Sequence, residues 1–196
     1  NDRLALPTTD HDLLRARWSP RSFTGAPISA AQAASLFEAA RWAASSNNEQ
    51  PWHFLAARRD ADAEGFARLL GLLTPNNQGW AKNAALLVCC VARLHFAATG
   101  KPNGTAIYDC GAASAQLCLE ATALGLAAHQ MRGFDLDRAR TELRIPEGHD
   151  PLAMIAIGHL GPAEALPEPL ASREVAPRTR SRKPQAGIVH GAAWPA

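Results

Sequence analysis

The chain has 196 residues, 47% of them hydrophobic, and its 20 Lys and Arg against 18 Asp and Glu leave a net charge of +2. That content is enough for one globular domain with a real core, and it excludes a disordered or collagen-like chain. The near balance of charge excludes a global field directed at nucleic acid or a membrane surface, so any basic function must be local.

In chain order, Ser29 and Gln32 have the spacing of a capping box, with Ile28 placed to staple onto Ala33; Ala33, Leu36, Phe37, Ala40 and Ala44 follow at helical spacing. This helix runs into "SSNNEQPW", where Pro51 biases Gln50 toward an extended conformation, and "WHFLAARR" reads as a strand. A second helix is expected over "ADAEGFARLLGLL", then a polar break at "TPNNQG" and a buried strand at "LLVCCVA". The stretch from Ile107 to Gly125 is small-residue-rich and apolar nearly all round, so it should be a helix packed at the centre of the domain or across a subunit interface, closed by Gly125. A short strand "LAAHQM" precedes "RGFD", Asp135 caps a helix to about Leu143, and "PLAMIAIGHLG" supplies a further buried strand. Beyond Gly161 the composition turns to Pro, Arg and Ala, a tail unable to form its own core. The boundaries are therefore a domain over 1–160 and a basic, Pro-rich extension over 161–196.

Helices and strands mix without strict alternation and without an internal repeat, which favours α+β over a doubly wound parallel sheet. No GxGxxG follows a strand, and neither GxxxxGK[ST] nor HExxH occurs. Cys89, Cys90, Cys110 and Cys118 lack CxxC or zinc-ligand spacing and read as reduced core residues; no metal site is expected. With no signal-peptide pattern in view, the thiols set the expectation of a cytoplasmic chain. The longest apolar run, Ala84 to Ala92, falls far short of the roughly 20 residues of a spanning helix, so no membrane is expected. His53 and His129 adjoin strands without a Ser or Cys nucleophile context and read as structural, and Trp42, Trp52 and Phe54 read as core or interface residues.

Four polar clusters remain. In "RWSPR", Arg17, Ser19 and Arg21 alternate, so an extended segment points all three to one side; two guanidiniums flanking a hydroxyl suit a phosphate, and a solvated turn is the plainer alternative. The second cluster is "SSNNEQPW", the third "QMRGFD", where Gly133 permits close approach of a flat ligand, and the fourth the tail's "RTRSRKP".

In this order and spacing, "RWSPRSF", "SSNNEQPWHF", "YDCGAASAQLCLEATALGLAAHQMRGFD" and "RSRKP" resemble the FMN-dependent nitroreductase family from about Leu13 to Pro184. The resemblance implies a small mixed or antiparallel sheet flanked by helices, a homodimer with FMN between the subunits, and a C-terminal extension wrapping the partner. It implies that Arg17, Ser19 and Arg21 meet the phosphate and the pyrimidine side of the flavin, with Arg180 and Arg182 completing the phosphate site. Ser45, Ser46 and Asn48 match the stretch that reaches the flavin from the other subunit, Asn77 the place of an amide against the ring's polar edge, and Arg132 and Gly133 the turn beside flavin N5. Arg132 also presents a charge near the reactive edge, for an anionic substrate or for plain solvation or a salt bridge.

The implied activity is hydride transfer from NAD(P)H through flavin N5 to a nitroaromatic, a quinone or another small acceptor, with no acid–base triad required. A specialised branch, such as a reductive dehalogenase or a dehydrogenase on a modified peptide, is the alternative within the family; a non-enzymatic basic-tail protein binding nucleic acid or a partner is the alternative outside it. The sequence departs from the family at Trp18, where many members have Arg or His, and in the short link "RLHFAATGKPNGTA".

Overall fold

A computed structural model describes residues 12–175 and 182–194. The described residues begin with a short helix α1 (Asp12–Ala16), and α2 (Ala30–Arg41) starts at the expected capping box: the Ser29 hydroxyl accepts from the Gln32 N–H and the Gln32 side chain takes the Ser29 N–H. Ile28 and Ala33 are buried in the same cluster, as a hydrophobic staple requires. Strand β1 (Trp52–Arg58) and helix α3 (Ala63–Leu72) follow, the latter capped by Asp62 on the Gly65 N–H.

The polar stretch after α3 is a helix rather than a break. Helix α4 (Pro75–Ala81) starts with Pro at its first turn, where a missing N–H costs nothing, and is held by Trp80, which is only 1% exposed. Strand β2 (Leu86–Arg93), helix α5 (Ala106–Ala123), strand β3 (Ala127–Met131), helix α6 (Leu136–Glu142, capped by Asp135) and strand β4 (His149–Gly158) complete the domain, and α7 (Leu170–Val175) lies in the extension.

Among the described residues four strands form one antiparallel sheet in the order β1-β2-β4-β3, so the α+β class is as expected. Strand β4 starts two residues earlier than the sequence suggested. Pro151 is tolerated inside it because β3 pairs only with residues 154–158 and the β2 register slips between Cys90 and Val91. The period of two sorts the core onto two faces. Leu87, Cys89, Val91, Met154 and Ala156 pack toward α3, α4 and α6, while Leu86, Val88, Ile155 and Ile157 pack toward α2 and α5. The sheet is thus the middle of three layers, which explains why β2 is buried along both faces.

Helix α5 turns Cys110, Ala113, Leu117 and Ala121 inward, but Ile107 (58% exposed) and Tyr108 (82%) face out with Gly111 and Ala115. Gly125 follows it at φ +70. Trp42, expected in a core or interface, is 72% exposed, with the Arg41 guanidinium over its ring and its indole N–H on Glu38. All four cysteines are free and buried. Among the described residues no helix is long and apolar enough to cross a membrane, and no group of His, Cys, Asp and Glu could hold a metal ion.

Candidate functional site

The segment after α1 is held by one internal contact and by two distant elements, β3 and α7. The Arg17 guanidinium donates to the Ser19 hydroxyl at 3.4 Å, the Pro20 carbonyl accepts from His129 Nδ1 of β3 at 2.9 Å, and the Arg21 backbone N–H donates to Glu174 of α7 at 2.9 Å. Because a carbonyl can only accept, the His129 proton sits on Nδ1. Burial lowers the pKa of this ring, which also lies tilted against Trp80 with centroids 4.7 Å apart, contacts that suit a structural histidine. Residues 22–24 then run beside the exit of β4, with Gly161 donating to the Ser22 carbonyl and Thr24 to the His159 carbonyl. A Cβ at Gly161 would stand 2.8 Å from Ser22 Oγ, so this approach requires glycine.

Glu174 is 7% exposed and carries two functions at once: one oxygen accepts the Arg21 N–H and lies 3.8 Å from its guanidinium, and the other is buried without a partner among the described residues. Nothing in its sequence surroundings marks it.

The "SSNNEQP" loop owes its composition first to backbone shape. Asn47, Asn48 and Gln50 have φ of 54°, 54° and 49°, a left-handed region in which Asn is among the least penalised side chains. Gln50 is therefore not extended, contrary to the bias expected before Pro51; the Ser45 hydroxyl takes its N–H at 3.0 Å and holds it there. The Ser46 N–H donates to Asp109 at 3.2 Å, and the same carboxylate oxygen receives the Thr105 hydroxyl at 3.1 Å. Asp109 is 4% exposed and lies in the first turn of α5, so the loop is seated on the start of that helix. Glu49 takes the Ala97 N–H at 2.7 Å and pairs with Arg93. The Ser46 hydroxyl and the Asn48 carboxamide make no hydrogen bond among the described residues.

The third cluster is a turn clamped to α4. The Gly133 carbonyl accepts from the Thr74 N–H and from the Asn77 side-chain amide, both at 3.0 Å, and Asp135 N–H donates to the Leu72 carbonyl. The structure thus brings Asn77 and Gly133 together, and a Cβ at 133 would lie 2.6 Å from Asn77 Nδ2. The Gly133 N–H makes no hydrogen bond among the described residues, and the exposed Arg132 guanidinium lies over the Phe134 ring at 5.3 Å. Arg182 is exposed; Arg180 lies outside the described residues.

Two of these clusters share β3. Gln130 of β3 donates to Cys118 at 3.4 Å, and the thiol, its pKa raised by burial, also feels the Arg17 guanidinium; two residues beyond Gln130 stands Arg132. The Ser45–Asn48 loop is elsewhere. It sits at position 109 of α5, nine residues from Cys118, which is roughly 13–14 Å at 1.5 Å per residue.

Comparison with known proteins gives this arrangement a context. The crystal structure of an oxidoreductase containing FMN is similar to the chain with a TM-score of 0.90 and 37% identity, covering 100% of this chain and 97% of that one. A nitroreductase family protein from Clostridium difficile 630, at 21% identity and TM-score 0.71 over 93% of this chain and 98% of that one, shares the fold. An uncharacterized 15.4 kDa protein of Mycolicibacterium smegmatis from the ask 5′ region is 40% identical over 137 residues, 65% of this chain and 88% of that protein. A protein of Archaeoglobus fulgidus described as a candidate NADH dehydrogenase/NAD(P)H nitroreductase is 27% identical over 156 residues, 75% of this chain and 83% of that protein. The likeness extends to a whole family: residues 14–159 match the model of the Nitroreductase family, and the chain belongs to it.

Proposed function

We propose that the chain is one subunit of a homodimeric FMN oxidoreductase that takes hydride from NAD(P)H and passes it to a nitroaromatic, a quinone or another small acceptor. The observation that carries this reading is the whole-chain likeness to an oxidoreductase containing FMN at 37% identity. The NAD(P)H donor rests on the weaker likeness to the Archaeoglobus fulgidus protein.

The residues present fit such a cofactor. Arg17 and Ser19, in contact with each other, combine a charged donor with a hydroxyl, the chemistry a terminal phosphate needs, and Arg21 adds a guanidinium already half-matched by Glu174. Arg180 and Arg182 would complete that phosphate site from the extension. The unpartnered Gly133 N–H offers a donor on a turn that Thr74 and Asn77 hold still, so Asn77 serves by fixing the turn. Bound FMN would supply the centre that accepts and donates hydride, leaving the protein to bind, orient and shield.

The separation along α5 supports the dimer. Ser46 and Asn48 have uncommitted polar groups, yet they sit at the other end of that helix from Arg17, so they suit a flavin held by a second chain. Tyr108 on α5 is uncovered, and so are Ile188 (62%), Val189 (59%) and Trp194 (83%) in the extension, apolar surface that a wrapped partner would bury. Four buried, free thiols suit a cytoplasmic setting. Purified protein should be yellow and release FMN on denaturation. Stoichiometric FAD, or no flavin after reconstitution, would overturn the reading, as would a colourless protein binding nucleic acid with a steep salt dependence.

A further inference from the structure

A cleft of about 420 Å³ opens beside the Arg132–Gly133 turn, within the roughly 300–1,000 Å³ span of small-molecule sites. Its apolar wall is Ile107, Leu136, Pro151 and Leu152, and its charged groups are Arg132, Arg140, Asp137 and Asp150. Arg140 is committed: it donates to the His149 carbonyl at 2.7 Å and pairs with Asp150. Arg132 has no carboxylate partner among the described residues. Its guanidinium lies over the ring of Phe134, a side chain only 7% exposed. A planar cation seated by its face keeps its N–H edges free, and those edges match a carboxylate in bidentate fashion.

We propose that this cleft is the acceptor subsite of the flavin enzyme and that it takes a small monocarboxylate with an apolar body, the carboxylate on Arg132 and the body against Ile107, Leu136 and Leu152. The proposal rests on the function argued above, because Arg132, which lines the cleft, directly precedes Gly133, the glycine of the turn proposed to lie beside the flavin. Asp137 sets the limit on charge. With Arg140 and Asp150 paired, Arg132 and Asp137 leave the lining neutral, so one carboxylate can be matched while a polyanion meets an uncompensated acid. Asp137 is exposed, so its repulsion is screened and smaller than the direct pairing with Arg132.

Benzoate and benzamide, equal in shape and different in charge, test this by ligand-observed NMR titration of the purified protein, with released flavin quantified on the same samples. Benzoate should bind about tenfold more tightly than benzamide, as expected for a charge-assisted contact. Arg132→Gln should erase that preference, and Asp137→Asn should enlarge it by about two- to fivefold. Wild-type protein indifferent to the charge, or a preference that survives Arg132→Gln, overturns the proposal. Should Arg132→Gln lose its flavin or fail to fold, Asp137→Asn decides: benzoate affinity unchanged or weakened there overturns it. Wild-type protein that takes up no flavin on reconstitution sinks the oxidoreductase reading whatever benzoate does, whereas charge indifference in flavin-loaded protein sinks the subsite alone.

Discussion

The carboxylate of Glu174 accepts the backbone N–H of Arg21 at 2.9 Å across 153 residues of sequence, and with it the C-terminal extension holds the first polar cluster in place. The accompanying guanidinium contact is longer, 3.8 Å, and Arg21 is 31% exposed, so the backbone bond should dominate the energetics. Glu174→Leu is expected to cost about 1.5–3 kcal/mol in urea unfolding, the range for a hydrogen bond to a charged acceptor. Glu174→Gln keeps an oxygen for the N–H and should cost less. Equal losses in the two variants would mean that the ion pair, not the backbone bond, is what matters.

Gly133 and Asn77 should behave as one unit. A methyl at 133 would push into Asn77 Nδ2 at 2.6 Å, and the displaced amide would lose its bond to the Gly133 carbonyl. That carbonyl keeps the Thr74 N–H, so no acceptor is orphaned and the cost of either Gly133→Ala or Asn77→Ala is expected near 1 kcal/mol. The double variant should lose little more than one single variant, because both remove the same contact. Additive losses in a double-mutant cycle would contradict the coupling.

What the sequence disclosed and what it hid divide along a physical line. The Ser29–Gln32 capping box, the Asp135 cap and the strand over Leu86–Arg93 are local patterns, and all three are present in the structure. Helix α4 was hidden because Asn76, Asn77, Gln78 and Gly79 are composed like a loop; only Pro75 at the first turn and Trp80 hinted at it. The amides of the 47–50 loop read as hydrogen-bonding groups, but backbone geometry at positive φ accounts for much of their presence. Asp109 and Glu174, which seat two of the polar clusters, are not legible in the sequence, because a carboxylate accepting a backbone N–H from 63 or 153 residues away leaves no spacing to read.

Stability should fall on the acid side, with His129 a contributor. Burial depresses the pKa of this ring below its ordinary value of 6.5; the Pro20 carbonyl opposes the shift and Arg21 adds to it. The unfolded chain therefore takes up the proton more readily than the folded one. The contribution is complete above the unfolded value and is lost as pH falls through it toward the lower folded value. Urea unfolding of wild type from about pH 7.5 to about pH 5 should show this decline, and His129→Gln, whose amide can still donate to Pro20, should show a shallower one. Parallel profiles would remove His129 from the account. His53, also depressed by burial and by the neighbouring His149 and Arg93, would then be the next group to replace.

The proposed shared site makes a demand that no single-chain site can meet. Arg17 lies near Cys118 of α5 and Arg21 near His129 of β3, whereas Ser46 and Asn48 lie at the start of α5, so each flavin would draw the first set from one subunit and the second from the other. One variant impaired at Arg17 and Arg21 and another impaired at Ser46 and Asn48 should each bind FMN weakly. When their subunits exchange, one site of every heterodimer collects both defects and the other collects none. Equal mixing with random exchange makes about half the dimers heterodimers, so about a quarter of all sites should become intact. FMN binding and turnover with NAD(P)H should rise to that fraction on mixing. No recovery, with heterodimers verified by mass, would contradict a shared site, and a fully active monomer at high dilution would contradict the dimer requirement itself.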